Sequence, residues 1–368
     1  MKSIGIVCLL AAFFISEARL QADEKIAPES YWIKQGYKKV ETQTHRTRAV
    51  ETPTWAPHSL NWPVPFQDSQ HSLGNSMAEF QQYGGELPYY HGGLDLRVAP
   101  AQAVHSAVAG RVEAGHYGYT NHPDGSMTKY WAAWPGDGDP TYFEVAVITD
   151  DGYRFEHHHM DETRLPDAIV TALKNGGRVA AGDLLGQTIL WPDGDYNHTH
   201  INIITPSGVN LNPEYYYPLI ADHSAPELQA AFAVDAVGKA TALAAGATIA
   251  APDHFAVVTL DRKDDDVYVQ LPVYAGVSFA SGASSFWDFR ERLAGPDGKF
   301  PGIWDFFVQS LTDQDGKEWD TSGGYGDGVS VIRLPMPARN GTPASGPFTI
   351  QLGDEAGNIT QLKGTIQQ

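Results

Sequence analysis

Asp195–Thr205, DYNHTHINIIT, carries two histidines one residue apart in a run that otherwise reads as a β-strand. Successive strand residues point to opposite faces, so His198 and His200 share a face roughly 6–7 Å apart, with Thr199 and Ile201 turned the other way. Two readings fit the pair: a metal-binding strand face, or an ordinary polar one.

The segments around this stretch are also strand-like. LDLRV (94–98), VHSAVAGRVEAG (104–115), YFEVAVITDDG (142–152) and YRFEHHHM (153–160) are short apolar or alternating runs bounded by Gly, Asn and Asp. Asp124-Gly125 and Asp151-Gly152 are hairpin signals. RLPDAIVTALKNGG (164–177) is the one clear helix, closed by Gly176-Gly177. Residues 61–220 therefore read as a β-rich domain of antiparallel sheets. Residues 221–250 are Ala-rich and serve as the expected linker, with helix as one option for the run. Residues 251–368 show strands at sandwich-like spacing and are expected to form an immunoglobulin-like β-sandwich. The predicted fold class is mostly β.

At 368 residues, the chain is long enough for two domains. Lys2 followed by the apolar run Ile4–Ile15 reads as a signal peptide over residues 1–22, too short to span a bilayer. The only cysteine, Cys8, lies inside it, and the residues before it make no lipoprotein box. An exported chain, periplasmic or secreted, without disulfides or a membrane anchor is expected. Residues 23–60, polar and Pro-punctuated, read as an extended lead-in, with a little helix as one option. The formal charge of -19, with no Lys/Arg-rich block, argues against nucleic acid as a partner.

Three histidine groups stand in telling contexts. In YYHGGLDLRV (89–98) a strand begins after Gly92-Gly93, and the turn can fold His91 back beside Asp95. By itself His-x-x-x-Asp is a weak pattern, equally at home on a polar surface. In FEHHHMD (155–161), strand geometry puts His157 and His159 on one face and His158 on the other. The third group is His198 and His200. Zinc favours imidazole and carboxylate ligands, and a catalytic site uses three of them. His91, Asp95 and one of His198 or His200 could supply those three.

HGGLDL, HHHMD and HTHINI follow in the order and rough spacing of the LytM/lysostaphin-type zinc endopeptidases, which this chain resembles over about residues 61–220. NWPVPF (61–66), AVHSAVAGRVEAG (103–115), GGRVAAGDLLGQT (176–188) and GVNLNPEYYYPL (208–219) resemble the family's flanking segments. The resemblance implies one Zn2+ per chain, with His91, Asp95 and His200 as its ligands. It implies His198 and His159 as the catalytic histidines, with His157 the competing assignment for the second. It implies a metal-activated water and, as substrate, the peptides of cell-wall peptidoglycan. The alternative is a non-catalytic or autoinhibited relative that binds or regulates. Thr199 departs from the apolar residue usual between the paired histidines. The segment 115–142 is a long insertion whose Tyr117, Tyr119, Trp131 and Trp134 either wall a groove or pack it down. Tyr83, Tyr89 and Tyr90 precede His91, one of them a candidate donor to a developing oxyanion.

Overall fold

The computed structural model describes residues 26–40, 53–65, 73–82, 87–191, 196–264, 268–293, 299–322, 328–339 and 342–367. The expected signal peptide lies outside them.

Nine strands make the main sheet: β1 (Lys38–Val40), β2 (Leu94–Arg97), β3 (Gly110–Asn121), β4 (Met127–Ala133), β5 (Phe143–Ile148), β6 (Arg154–His157), β7 (Arg178–Val179), β8 (His198–Ile204) and β9 (Asn210–Leu211). Their order is β1-β4-β3-β5-β6-β8-β9, with β7 on β3 and β2 on β8. Every pairing is antiparallel. Both expected hairpin turns form, with Gly125 at φ 84° and Gly152 at φ 90°, conformations that favour glycine.

Alternation assigns the faces. Leu94, Leu96, Val145, Val147, Phe155, Ile201 and Ile203 all enter one core. Asp95, Glu144, Glu156, His200 and Asn202, one residue out of step with them, take the opposite side and are buried as well. The sheet therefore has an apolar face and a polar face that is also shielded from water. Helix α2 (Asp167–Asn175) covers the apolar side with Ile169 and Ala172, and ends at Gly176 in the left-handed conformation.

The lead-in and the insertion both pack onto the main sheet. Residues 29–34 form helix α1 (Glu29–Lys34), and β1 adds to the edge of β4. Trp32 of α1 is buried on Tyr130, and its indole N–H donates to the Tyr119 carbonyl at 3.0 Å. A β-carbon on Gly118 would stand 2.1 Å from that indole, so glycine there makes the seat. The 115–142 insertion is largely the β3–β4 hairpin, and Tyr117 and Tyr119 are buried in an aromatic cluster with Tyr89 and Tyr142.

The C-terminal half holds two larger sheets and two two-stranded ones. One larger sheet orders 240–242, 227–234, 254–260 and 330–335; the second orders 248–249, 359–366, 346–353, 274–279 and 284–288. Phe255, Val257, Ile332 and Leu334 of the first share a core with Val277, Phe348, Ile350 and Leu352 of the second. The Ala-rich stretch differs from expectation: Glu227–Val234 is a strand, neither linker nor helix. Ala231 and Ala233 enter the inter-sheet core while Phe232 and Val234 enter a second cluster on the other side. A strand buried on both faces reads as a continuous apolar run and hides its period of two.

The two halves interlock. Met77, Ala78, Phe80 and Tyr90 pack in the C-terminal core. Gln270 donates to the Gly74 carbonyl at 3.3 Å, and the Leu271 N–H donates to Ser76 Oγ at 3.2 Å.

Candidate metal centre

β8 and β2 pair in a register that sets His200 opposite Asp95 and His198 opposite Arg97. His91, on the turn before β2, folds back over Asp95, and the three expected ligands meet. His91 Nε2 lies 2.8 Å from His200 Nδ1 and 3.3 Å from Asp95 Oδ1. His200 Nδ1 lies 2.9 Å from the same oxygen. All three residues are at most 1% exposed.

Hydrogen bonds on the far sides select the tautomers. His91 donates its Nδ1–H to the Ser76 carbonyl at 2.9 Å, and His200 its Nε2–H to Asn202 Oδ1 at 3.0 Å. Their facing nitrogens then carry lone pairs. Asp95 Oδ2 accepts from Asn75 Nδ2 at 2.9 Å and from the Tyr196 hydroxyl at 3.0 Å, which leaves Oδ1 to the imidazoles. Three acceptors aimed at one point require a cation or a proton between them. Two imidazole nitrogens and one carboxylate oxygen are a donor set that suits zinc. Burial lowers the His200 pKa to about 3, which keeps its imidazole neutral at pH 7.

His198 and His159 stand beside this trio, their rings 4.6 Å apart. His198 donates its Nδ1–H to the Tyr196 carbonyl at 2.9 Å, and His159 donates its own to the Thr141 carbonyl at 2.9 Å. His159 Nε2 is buried and has no hydrogen-bond partner among the described residues. Burial lowers both pKa values, that of His159 well below its usual range.

The triple histidine departs from simple alternation. β6 ends at His157, and His159 adopts φ 59°, so its side chain is not on the His157 face. His157 follows Phe155 to the apolar side, where its Nδ1 contacts the Val145 carbonyl at 3.3 Å. His158 stacks on His200 with ring centroids 4.9 Å apart. It also reaches Glu144 at 3.0 Å and Glu156 at 3.1 Å. Those carboxylates already hold cations: Lys129 bridges them, and Arg154 reaches both at 2.6–2.7 Å. Asn202 joins this network to the centre by donating to Glu156 Oε2 at 2.9 Å.

Several side chains around the centre carried no sequence signal of their own. Asn75 and Tyr196, outside the histidine motifs, orient Asp95; Asn202 and Glu156, within the quoted motif stretches, orient His200, Asn202 directly and Glu156 through Asn202. The glycines of the first motif had one: a β-carbon on Gly93 would meet the Ile201 carbonyl at 2.1 Å and Asn202 Oδ1 at 2.2 Å. Of the tyrosines before His91, Tyr83 lies outside the described residues and Tyr89 is buried in the aromatic cluster. Tyr90 turns the other way and donates to the Gly302 carbonyl at 3.2 Å, so it is not a donor at this centre.

No family model matches this chain, and no curated protein matches it. Among solved structures it is similar to the SpoIIQ–SpoIIIAH pore-forming complex, at 17% identity and a TM-score of 0.29, over 44% of this chain and 92% of that one. It is also similar to lysostaphin, the antimicrobial peptidase of Staphylococcus simulans, at 15% identity and a TM-score of 0.25, over 79% and 99% of the two chains. A solution structure of lysostaphin is similar at 14% identity and a TM-score of 0.23, over 79% and 100%. Identity and TM-score are low in each case.

Proposed function

We propose that this chain is an exported zinc-dependent endopeptidase of the LytM/lysostaphin type, acting on the peptides of cell-wall peptidoglycan. The observation that supports it most is the convergence of His91 Nε2, Asp95 Oδ1 and His200 Nδ1 beside two more imidazoles whose Nδ1–H groups are tied to backbone carbonyls. His91, Asp95 and His200 would hold the zinc. When bound, zinc supplies Lewis acidity that lowers the pKa of water and polarises a carbonyl.

The protein's own groups do the rest. Asn75 and Tyr196 keep one Asp95 oxygen occupied, so the other faces the imidazoles. His198 and His159, neutral at pH 7, present Nε2 as proton acceptors. One takes a proton from the attacking water and the pair delivers it to the leaving amine. No helix among the described residues is long and apolar enough to cross a membrane.

A second reading has one observation in its favour. His159 and His198 are at most 2% exposed, and Trp191 lies against both rings at 4.7 and 4.9 Å. A peptide reaches them only after that cover moves, as expected of an autoinhibited form or a non-catalytic binding relative.

Muropeptide mass spectrometry separates the two. Peptidoglycan is incubated with the protein as isolated, after chelation, and after zinc is restored. New free amines that vanish with chelator and return with zinc support the peptidase. Intact peptides from a zinc-loaded, folded chain would refute it in favour of the second reading.

A further inference from the structure

Away from the histidine centre, Asp222, Asp261 and Asp354 offer one oxygen each within 4.8 Å of one another, all three residues buried. They come from distant parts of the chain. Asp222 lies between the helix Pro213–Tyr216 and the strand Glu227–Val234. Asp261 follows the strand His254–Leu260, and Asp354 follows the strand Gly346–Gly353. We infer that they form a second cation site, for a hard divalent ion of the calcium class.

The unmet hydrogen-bonding capacity is what distinguishes this cluster. Asp354 is satisfied on both oxygens by the Asn358 N–H and Nδ2, each at 2.9 Å. Asp222 Oδ1 accepts from the Ser224 and Asp264 N–H groups at 3.0 and 3.2 Å. Asp222 Oδ2 and Asp261 Oδ1, by contrast, are buried with no hydrogen-bond partner among the described residues. Asp261 is 1% exposed and Asp222 is 8% exposed. A buried carboxylate oxygen left unpaired is costly, and three carboxylates facing one another add repulsion. Burial, with the repulsion of Asp354, Asp222 and Glu214, lifts Asp261 to about 8 even though Lys263 opposes it.

The Glu144–Glu156–His158 cluster shows what a satisfied arrangement looks like, since Lys129 and Arg154 lie between its carboxylates. At the aspartate cluster the nearby ammonium, Lys263, is engaged by Glu214 at 2.7 Å. Its single charge stands against Glu214 and the three aspartates. An all-oxygen donor set selects calcium-like ions rather than zinc. A pocket lined by Trp62, Glu214, Lys263 and Glu355 includes chain neighbours of the cluster, Glu355 next to Asp354 and Lys263 two residues after Asp261. Since Asn358 Nδ2 also donates to the Asp222 carbonyl at 3.1 Å, an ion here would clamp the first half to the C-terminal sheets.

The test is equilibrium dialysis of the full chain against roughly millimolar calcium, the range of extracellular modules, with metal analysis and thermal melts. Wild type and His200→Ala should both retain about one calcium per chain and melt at higher temperature with it, since the site is independent of the histidine centre. Asp261→Asn should lose both responses. Should Asp261→Asn fail to fold, Asp222→Asn takes its place, and the wild-type dialysis decides by itself. No calcium retained by wild type at about 10 mM, ten times the weakest affinity in that range, would overturn the site. So would equal retention by a folded Asp261→Asn.

Discussion

The Nε2–H of His200 donates to Asn202 Oδ1 at 3.0 Å, from the next residue on the same face of β8. This bond turns the His200 Nδ1 lone pair toward Asp95, and Asn202 is itself held by Glu156. Asn202→Ala should therefore weaken zinc binding by about 10–100-fold, the usual effect of losing an outer partner of a ligand. A competition titration with a zinc chelator reads this out. Unchanged affinity would show that the tautomer is set by something else.

Gly93 is fixed by contact. Its backbone passes so close to the Ile201 carbonyl and Asn202 that no β-carbon fits. Gly93→Ala must move β8 or the turn after His91, and should destabilise the fold by about 1–3 kcal/mol, as overpacking does. Denaturant unfolding measures it. A variant as stable as wild type would mean the turn and β8 are free to separate.

His159 and His198 should separate from the ligands in their effects. His198→Ala and His159→Ala should retain zinc yet lower peptide hydrolysis by about 10²–10⁴-fold, the range of general acid–base catalysis. His157→Ala, on the apolar face, should leave the rate per folded molecule near wild type. A catalytic loss confined to His157→Ala would reverse the assignment.

Asp261 makes a pH prediction. Burial first, then its acidic neighbours, raise it from 3.8 to about 8, so the folded chain binds a proton there that the unfolded chain has released. Its contribution is favourable below about pH 4, the unfolded value, and is lost as pH rises through the folded value near 8. In calcium-free buffer, the stability of wild type relative to Asp261→Asn should fall between about pH 4 and pH 8. Melting temperatures across that range check the sign. A difference that grows with pH would be incompatible with a raised Asp261.

Much of this centre was legible because strand parity is simple. His198 and His200 share a face, and a turn at Gly92-Gly93 can return His91 to Asp95; both follow from local geometry. His159 was not legible in that way. Parity joins it to His157, and only its positive φ where β6 ends breaks the pairing. The family resemblance, not periodicity, singled it out. Asn75, Tyr196 and the aspartate cluster have no local pattern, since each acts across 20 residues or more or is assembled from distant segments. The Ala-rich strand was hidden for a different reason: over Ala231–Val234 both faces are buried, so alternation there leaves no mark on polarity.

The proposed chemistry requires that His91, Asp95 and His200 hold a zinc ion. Zinc content after loading and exhaustive dialysis, measured for wild type and His200→Ala side by side, tests this most directly. The expected result is about one zinc per wild-type chain and essentially none in a folded His200→Ala, because two ligands do not make a stable zinc site. Equal zinc in the two proteins would contradict the assignment and, with it, the proposed chemistry.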